Sequence, residues 1–245
     1  MKFTALLALI ALRAFAQDVH VFTSNGPRAA MEKIYPASEK TVGKKVSSEY
    51  NTTTALRKKA EAGDAFDVAV LTNDAIHALI KSGKIAADSK MDFAKAGVGV
   101  GYRKGSPKPD ISTDAALKKT LLAAKSVTYN EVGASRAFIE QVFAKLGIAD
   151  QMKAKTVLEA ASGQSQVEVG AGKVELVLSL VPEIPPYENV LLAGSFPADL
   201  QNYITFSVGV SAKASDPKAA RALAKFIADP ARASVLKSNN LEPVK

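Results

Sequence analysis

Two hydroxyl-rich turns are the first places in this sequence where side chains could do chemistry. Thr23-Ser24-Asn25-Gly26 follows a short apolar run, Val19-His20-Val21-Phe22, and Asn51-Thr52-Thr53-Thr54 follows a second run, Val46 to Tyr50. Each turn precedes a stretch with helical periodicity. A helix N-terminus carries unsatisfied N–H groups and the positive end of the dipole, so hydroxyls placed there suit an anion. The ordinary reading of one Ser or Thr before a helix is an N-cap. Three consecutive threonines exceed what one cap uses, and two such turns that face one crevice would make a binding site.

The elements that position these turns read in order. A helix with Ala30, Ile34 and Tyr35 on its apolar face follows the first turn, and a helix over Ala55 to Ala62 follows the second. Phe66 to Leu71 supplies a third strand, so the unit is βαβ in pattern, with a parallel sheet and ligand chemistry at the strand carboxyl ends. Asn73 to Ser82 is a helix carrying His77, which reads as packed or surface histidine. Val98-Gly99-Val100-Gly101-Tyr102 is a glycine-punctuated strand without the third glycine or the helix of a dinucleotide site.

Lys104-Gly105-Ser106-Pro107-Lys108-Pro109 breaks the pattern, and a second α/β unit begins. It holds a helix over Asp114 to Ala124, a strand over Ser126 to Tyr129, a turn Asn130 to Arg136 and a helix through Leu146. Ser135 reads as that helix's cap. Arg136 puts a cation in a first turn, against the dipole, and is either held to meet an anion or a plain surface residue. Ser162 to Gln166 precedes a short helix over Val167 to Ala171, and Val174 to Val181 is a buried strand, stopped by Pro182-Glu183-Ile184-Pro185-Pro186. A strand at Val190 to Leu192, one helical turn at Pro197 to Gln201 and a returning strand, Tyr203 to Val210, come next. Two helices, Asp216 to Ile227 and Pro230 to Leu236, close the chain; Asp216-Pro217 and Asp229-Pro230 each pair an Asp cap with Pro at the first helical position. The expected division is one lobe from residues 17–103 and 204–245 and a second from 104–203.

Composition bounds the function. Residues 1–16 have the charge, apolar core and Ala14-Phe15-Ala16 site of a secretory signal, and no cysteine follows to carry a lipid. A periplasmic protein without a lipid anchor is expected. With no cysteine in 245 residues, disulfides, zinc–thiolate sites and a cysteine nucleophile are excluded. The net charge of +8 is spread along helices, as at Lys58-Lys59 and Lys118-Lys119, without aromatic interleaving, so nucleic acid is not an expected partner.

Phe22-Thr23-Ser24-Asn25, Tyr50-Asn51-Thr52-Thr53-Thr54-Ala55-Leu56, Ala60-Glu61-Ala62-Gly63 and Phe66-Asp67-Val68 resemble the periplasmic molybdate-binding protein family. The resemblance continues through Ala144 to Gly147 and Pro217 to Pro230, nearly the whole mature chain. It implies the type II periplasmic-binding fold, two lobes each built on a mostly parallel sheet flanked by helices. It also implies a monomeric, cofactor-free binder of a small anion, molybdate or tungstate, that delivers its ligand to an ABC transporter permease. By position, the ligand donors it implies are Ser24 with Asn25, the central Thr53 beside Thr52, the turn at Ala134-Ser135 and the loop at Ser162-Gly163. Two positions depart from the pattern. The family's tyrosine falls near Leu180, and Arg136 stands where a small residue is common. An arginine fork suits a carboxylate or sulfate-like anion, which gives the alternative ligand. A stand-alone sensor or scavenger is the alternative role.

Catalysis is not expected. His20 and His77 lie inside a strand and a helix, away from the hydroxyl turns. There is no G-x-S-x-G elbow or H-E-x-x-H motif, and no spacing ties Glu131 to Glu183 as an acid–base pair.

Overall fold

A computed structural model describes residues 17–244; the expected signal segment, 1–16, lies outside the described residues. Strand β1 (Val19–Ser24) leads into α1 (Arg28–Val42), β2 (Val46–Asn51) into α2 (Thr53–Ala62), and β3 (Val68–Thr72) into α3 (Asn73–Lys81). β1 lies between β2 and β3 and is parallel to both, the βαβ arrangement its sequence dictates. The glycine after α2, Gly63, sits in the left-handed region and its N–H donates to the helix's last carbonyls.

The second unit holds α4 (Asp114–Ala123), β5 (Val127–Asn130), α5 (Arg136–Lys145), α6 (Ala149–Lys153), β6 (Thr156–Glu159), α7 (Gln164–Gly170) and β7 (Leu176–Leu180). Here β5 is the central parallel strand, between β6 and β7. Two antiparallel strands join the units. β4 (Met91–Arg103) pairs with β9 (Tyr203–Val210) along Met91–Gly97, and then with β7 and with β8 (Val190–Ser195) beyond Val98. β9 in turn pairs with β3. The strand order is therefore β2-β1-β3-β9-β4-β7-β5-β6, with β8 and the short β10 (Glu242–Pro243) also on β4. Each parallel triad sits at one end, and the two long strands cross between them.

Apolar periodicity explains the packing. α8 (Pro217–Ala228) buries Ala219, Ala220, Leu223, Ala224 and Ile227, one stripe of the helix, and the Asp216 carboxylate accepts from the Ala219 N–H at 3.0 Å. α9 (Ala233–Ser238) follows and buries Leu236. Asp67 is the main buried polar tie of the first unit. Its carboxylate accepts from the His20 N–H (2.9 Å) and from both the N–H (2.6 Å) and hydroxyl (2.9 Å) of Ser215, which fixes the loop before α8.

The structure departs from the sequence reading at several elements, among them β10, which that reading lacks, and α9, which begins at Ala233 rather than Pro230. β4 begins at Met91 rather than Val98, because Met91–Gly97 gains its strand character from pairing with β9 rather than from alternation. α6 and β6 have no counterpart in the sequence reading. β6 is an edge strand with Val157 and Leu158 exposed, so it lacks a buried face to pattern its sequence. α7 starts at Gln164, which places Ser165 and Gln166 on a helix rather than in a loop.

Candidate functional site

The parallel register brings the two hydroxyl turns together. Ser24 pairs with Asn51 at the carboxyl ends of β1 and β2, and the Asn25 N–H donates to the Asn51 carbonyl at 3.1 Å. Each of the three threonines then takes a different partner. Thr52 is the N-cap of α2, accepting from the Ala55 N–H at 3.2 Å. The buried Thr53 hydroxyl donates to Ser24 Oγ at 2.9 Å. Thr54 donates across to the Val132 carbonyl of the second unit at 3.0 Å. Since Thr52 already caps the helix, Thr53 and Ser24 form a hydroxyl pair beside first-turn N–H groups that have no helical acceptor.

From the other side, Asn130 shapes the turn before α5, accepting from the Val132 N–H at 3.0 Å and donating to the Ala161 carbonyl at 3.0 Å. Gly163 opens α7 in the left-handed region (φ 77°) and lies against the Tyr187 hydroxyl, where a side chain would collide. Asn25 Nδ2 donates to Ser162 Oγ, a second direct bond between the units.

These walls enclose a cavity of about 400 Å³. The first unit contributes Ser24, Asn25, Thr52 and Thr53 with Arg28 and Glu32 of α1; the second contributes Asn130, Gly133, Ala134, Ser162, Gly163, Ser165, Gln166, Ser179, Glu183 and Tyr187. Arg28 Nε donates to Glu32 at 2.8 Å and its guanidinium lies 4.8 Å from the Tyr50 ring centroid. The two charges offset each other, which leaves most of the wall to neutral donors.

Six of the eight sequence-predicted residues line the cavity: Ser24, Asn25, Thr52, Thr53, Ser162 and Gly163. Ser135 and Arg136 are not among the lining residues. Ser135 is the N-cap of α5 but its hydroxyl makes no capping bond. Arg136 donates to Glu140 at 2.9 Å and to the Glu131 carbonyl at 2.8 Å, so an i,i+4 ion pair accounts for a cation in the first turn. Leu180 is buried in the core, and it is Tyr187 that brings a tyrosine to the cavity.

Sequence reasoning misses Arg28, Gln166, Ser179 and Tyr187, and weighs Glu183 only as an acid–base partner. The signal for Glu183 is its place in a proline-rich break directly after a buried strand. Its carboxylate oxygen Oε2 accepts from the Ser179 hydroxyl at 2.6 Å, and Gln166 donates weakly to Ser179 Oγ (3.4 Å) and to the Glu183 carbonyl (3.3 Å). Burial raises the Glu183 carboxyl's proton affinity above that of an ordinary glutamate, and the Ser179 bond opposes this only in part. The sign for stability follows. At low pH, folded and unfolded chains both carry this proton; as pH rises past the ordinary glutamate value of 4.5, the unfolded chain releases it first and the folded state loses ground. Glu183→Gln is therefore expected to melt above the wild type at about pH 8 and together with it near pH 4, a comparison that thermal denaturation reads directly.

Among the described residues, no cluster of three or more His, Asp or Glu is arranged to hold a metal, and no helix is long and apolar enough to cross a membrane. Two α/β lobes joined by crossing strands, with a hydroxyl-lined cavity between them, define a two-lobed solute-binding protein of the type II periplasmic-binding fold. The chain belongs to the bacterial extracellular solute-binding protein family, whose model matches residues 19–240. It is 28% identical over 230 residues to aconitate isomerase from Pseudomonas sp, spanning 91% of this chain and 87% of that protein. It is also 28% identical over 237 residues to the molybdate-binding protein ModA of Azotobacter vinelandii, spanning 94% and 92%. Solved structures that share the fold include the Azotobacter vinelandii periplasmic molybdate-binding protein (TM-score 0.78, 15% identity, 93% of this chain and 100% of that one). Another is the sulfate-binding protein SubI from Mycobacterium tuberculosis H37Rv (TM-score 0.76, 18% identity, 94% and 88%). The resemblance to the molybdate-binding family thus holds at the level of fold and relatedness.

Proposed function

We propose that this protein is exported to the periplasm, captures a small organic anion between its lobes as a monomer, and hands it to an ABC transporter permease. The observation that carries the ligand class is the cavity. Its volume of about 400 Å³ falls in the range typical of small-molecule sites, whereas a tetrahedral oxyanion of five heavy atoms would fill only a fraction of it. Hydroxyls, first-turn N–H groups and the Arg28 guanidinium supply donors on both sides, as a carboxylate-bearing ligand requires. Ser24, Asn25, Thr52, Thr53, Ser162 and Gly163 are the proposed ligand contacts. The lobes in this reading are residues 17–103 with 204–245, and 104–203, hinged where β4 and the segment before β9 cross; ligand contact from both lobes drives closure.

Calorimetric titration of the mature chain with molybdate, tungstate, sulfate, phosphate and small di- and tricarboxylates tests this reading. Carboxylates are expected to bind; tight binding of molybdate and tungstate alone would overturn the ligand class.

The family relationships favour binding without catalysis, but the relative named aconitate isomerase and the Glu183 carboxyl on the cavity wall support a second reading, isomerisation of an unsaturated polycarboxylate. Incubation with aconitate in heavy water, followed by proton NMR, separates the two. Isomer conversion with deuterium uptake on carbon would establish the enzyme, and an unchanged spectrum would remove this second reading.

A further inference from the structure

Glu183 is an unusual group for an anion's container. Its side chain lies on the short turn after β7 and reaches the cavity wall. Oε2 is held by Ser179, and Oε1 has no protein partner among the described residues. Among the described residues, no cation is paired with it. Ser179 and Gln166, from β7 and α7, are uncharged; β4 meets the turn through Gly99 against Val181 and Gly101 against Ile184, and the β8 residues beside those glycines, Val190 and Leu192, are apolar. The charged and titratable groups that share the cavity are Tyr187 from the following loop and the Arg28–Glu32 pair, which is internally neutralised, from α1 across the cleft. An ionised carboxylate here would repel the ligand for which the other walls are built. A protonated one would offer an O–H donor at the oxygen that is free.

We propose that Glu183 keeps its proton in the ligand-bound protein and donates it from Oε1 to an oxygen of the bound anion, which makes it a residue that selects the ligand. This rests on the small-anion reading above. Its position on the cavity wall, with one neutral hydrogen bond and no paired cation among the described residues, raises the carboxyl's proton affinity in the resting state as well. Binding and protonation are then linked: the anion favours the protonated form, and affinity declines once the proton is lost. Selectivity follows from the same geometry. A ligand oxygen that accepts is matched at Oε1, while an ammonium group placed there, which can only donate, would face a donor and be disfavoured.

The test uses the full mature chain with fumarate and sulfate, both fully ionised from about pH 6 to 9, so that the ligand's own titration does not intrude. For wild-type protein, affinity for the anion that binds is expected to fall at least about tenfold across that range. Glu183→Gln keeps an N–H donor and cannot ionise, so its affinity should be the same at both ends. Glu183→Leu, with no donor, should bind weakly throughout. In parallel, carbon-13 NMR of glutamate side chains in the ligand-free protein, with Glu183→Gln as the assignment, should show this carboxyl titrating above the ordinary glutamate range. A pH dependence that survives in Glu183→Gln, or a carboxyl that titrates in the ordinary glutamate range, overturns the inference while leaving the anion reading intact. Failure of both probes at every pH, with the rest of the anion panel also silent, removes the small-anion reading, and the inference with it.

Discussion

Replacing Ser24 and Thr53 together by alanine is expected to weaken ligand binding by roughly tenfold to a hundredfold or more while the melting temperature hardly moves. Thr53 donates its proton to Ser24, so no protein group among the described residues takes the Ser24 proton, which is left for the ligand. Alanine at both positions removes that donor and the partner that orients it. A hydrogen bond to a charged group contributes about 1.5–3 kcal/mol, so the loss of this donor is worth roughly tenfold to a hundredfold in affinity, and loss of its orienting partner adds to that. The cap of α2 belongs to Thr52 and is untouched, which is why stability should survive. Calorimetry with the anion found in the titration panel, paired with a thermal melt, checks both halves. Affinity within about threefold of the wild type would show that these hydroxyls are not the donors.

Phe206→Ala should cost the most stability of any single change near the site. The ring is fully buried on β9, between β3 and β4, where Phe206 pairs with Thr72 on one side and Ala94 on the other. Its tip rests against Gly26, so closely that a methyl group there would collide with it. Truncation leaves a cavity beneath the first hydroxyl turn. Phe-to-Ala changes in cores cost about 3–5 kcal/mol, which for a chain of this size lowers the melting temperature by roughly 6–20 °C. Ligand affinity should weaken too, because Gly26 loses the surface that fixes Ser24 and Asn25. Chemical denaturation gives the first effect and calorimetry the second; a loss below about 1 kcal/mol would mean that the turn collapses onto the vacated space.

Both expectations depend on the hydroxyl turns, and these are legible in the residue pattern alone. β1 and β3 are short apolar runs closed by polar residues, β2 alternates Val46, Ser48 and Tyr50 with polar residues, and the helices after them carry caps and apolar stripes that need only nearest neighbours to form. β9 has the bounds its residues predict, since its alternation is local as well. Arg136 shows the limit of such reading. Its conflict with the helix dipole is real, but Glu140 one turn later resolves it, and only side-chain geometry shows which of several acceptors a guanidinium takes.

The sequence by itself determined the βαβ units, the hydroxyl turns at their strand ends and the absence of thiol chemistry, because caps, periodicity and composition are local properties. Tertiary structure alone decided that Met91–Gly97 is a strand, that Tyr187 rather than Leu180 brings a tyrosine to the cavity, and that Glu183 faces it uncompensated. Those facts arise from contacts between residues far apart in the chain, such as Thr54 with Val132 and Asn25 with Ser162, and from the desolvation that enclosure imposes on a carboxyl. Neither long-range pairing nor local dielectric leaves a mark on the spacing of residues, so only the folded chain reveals them.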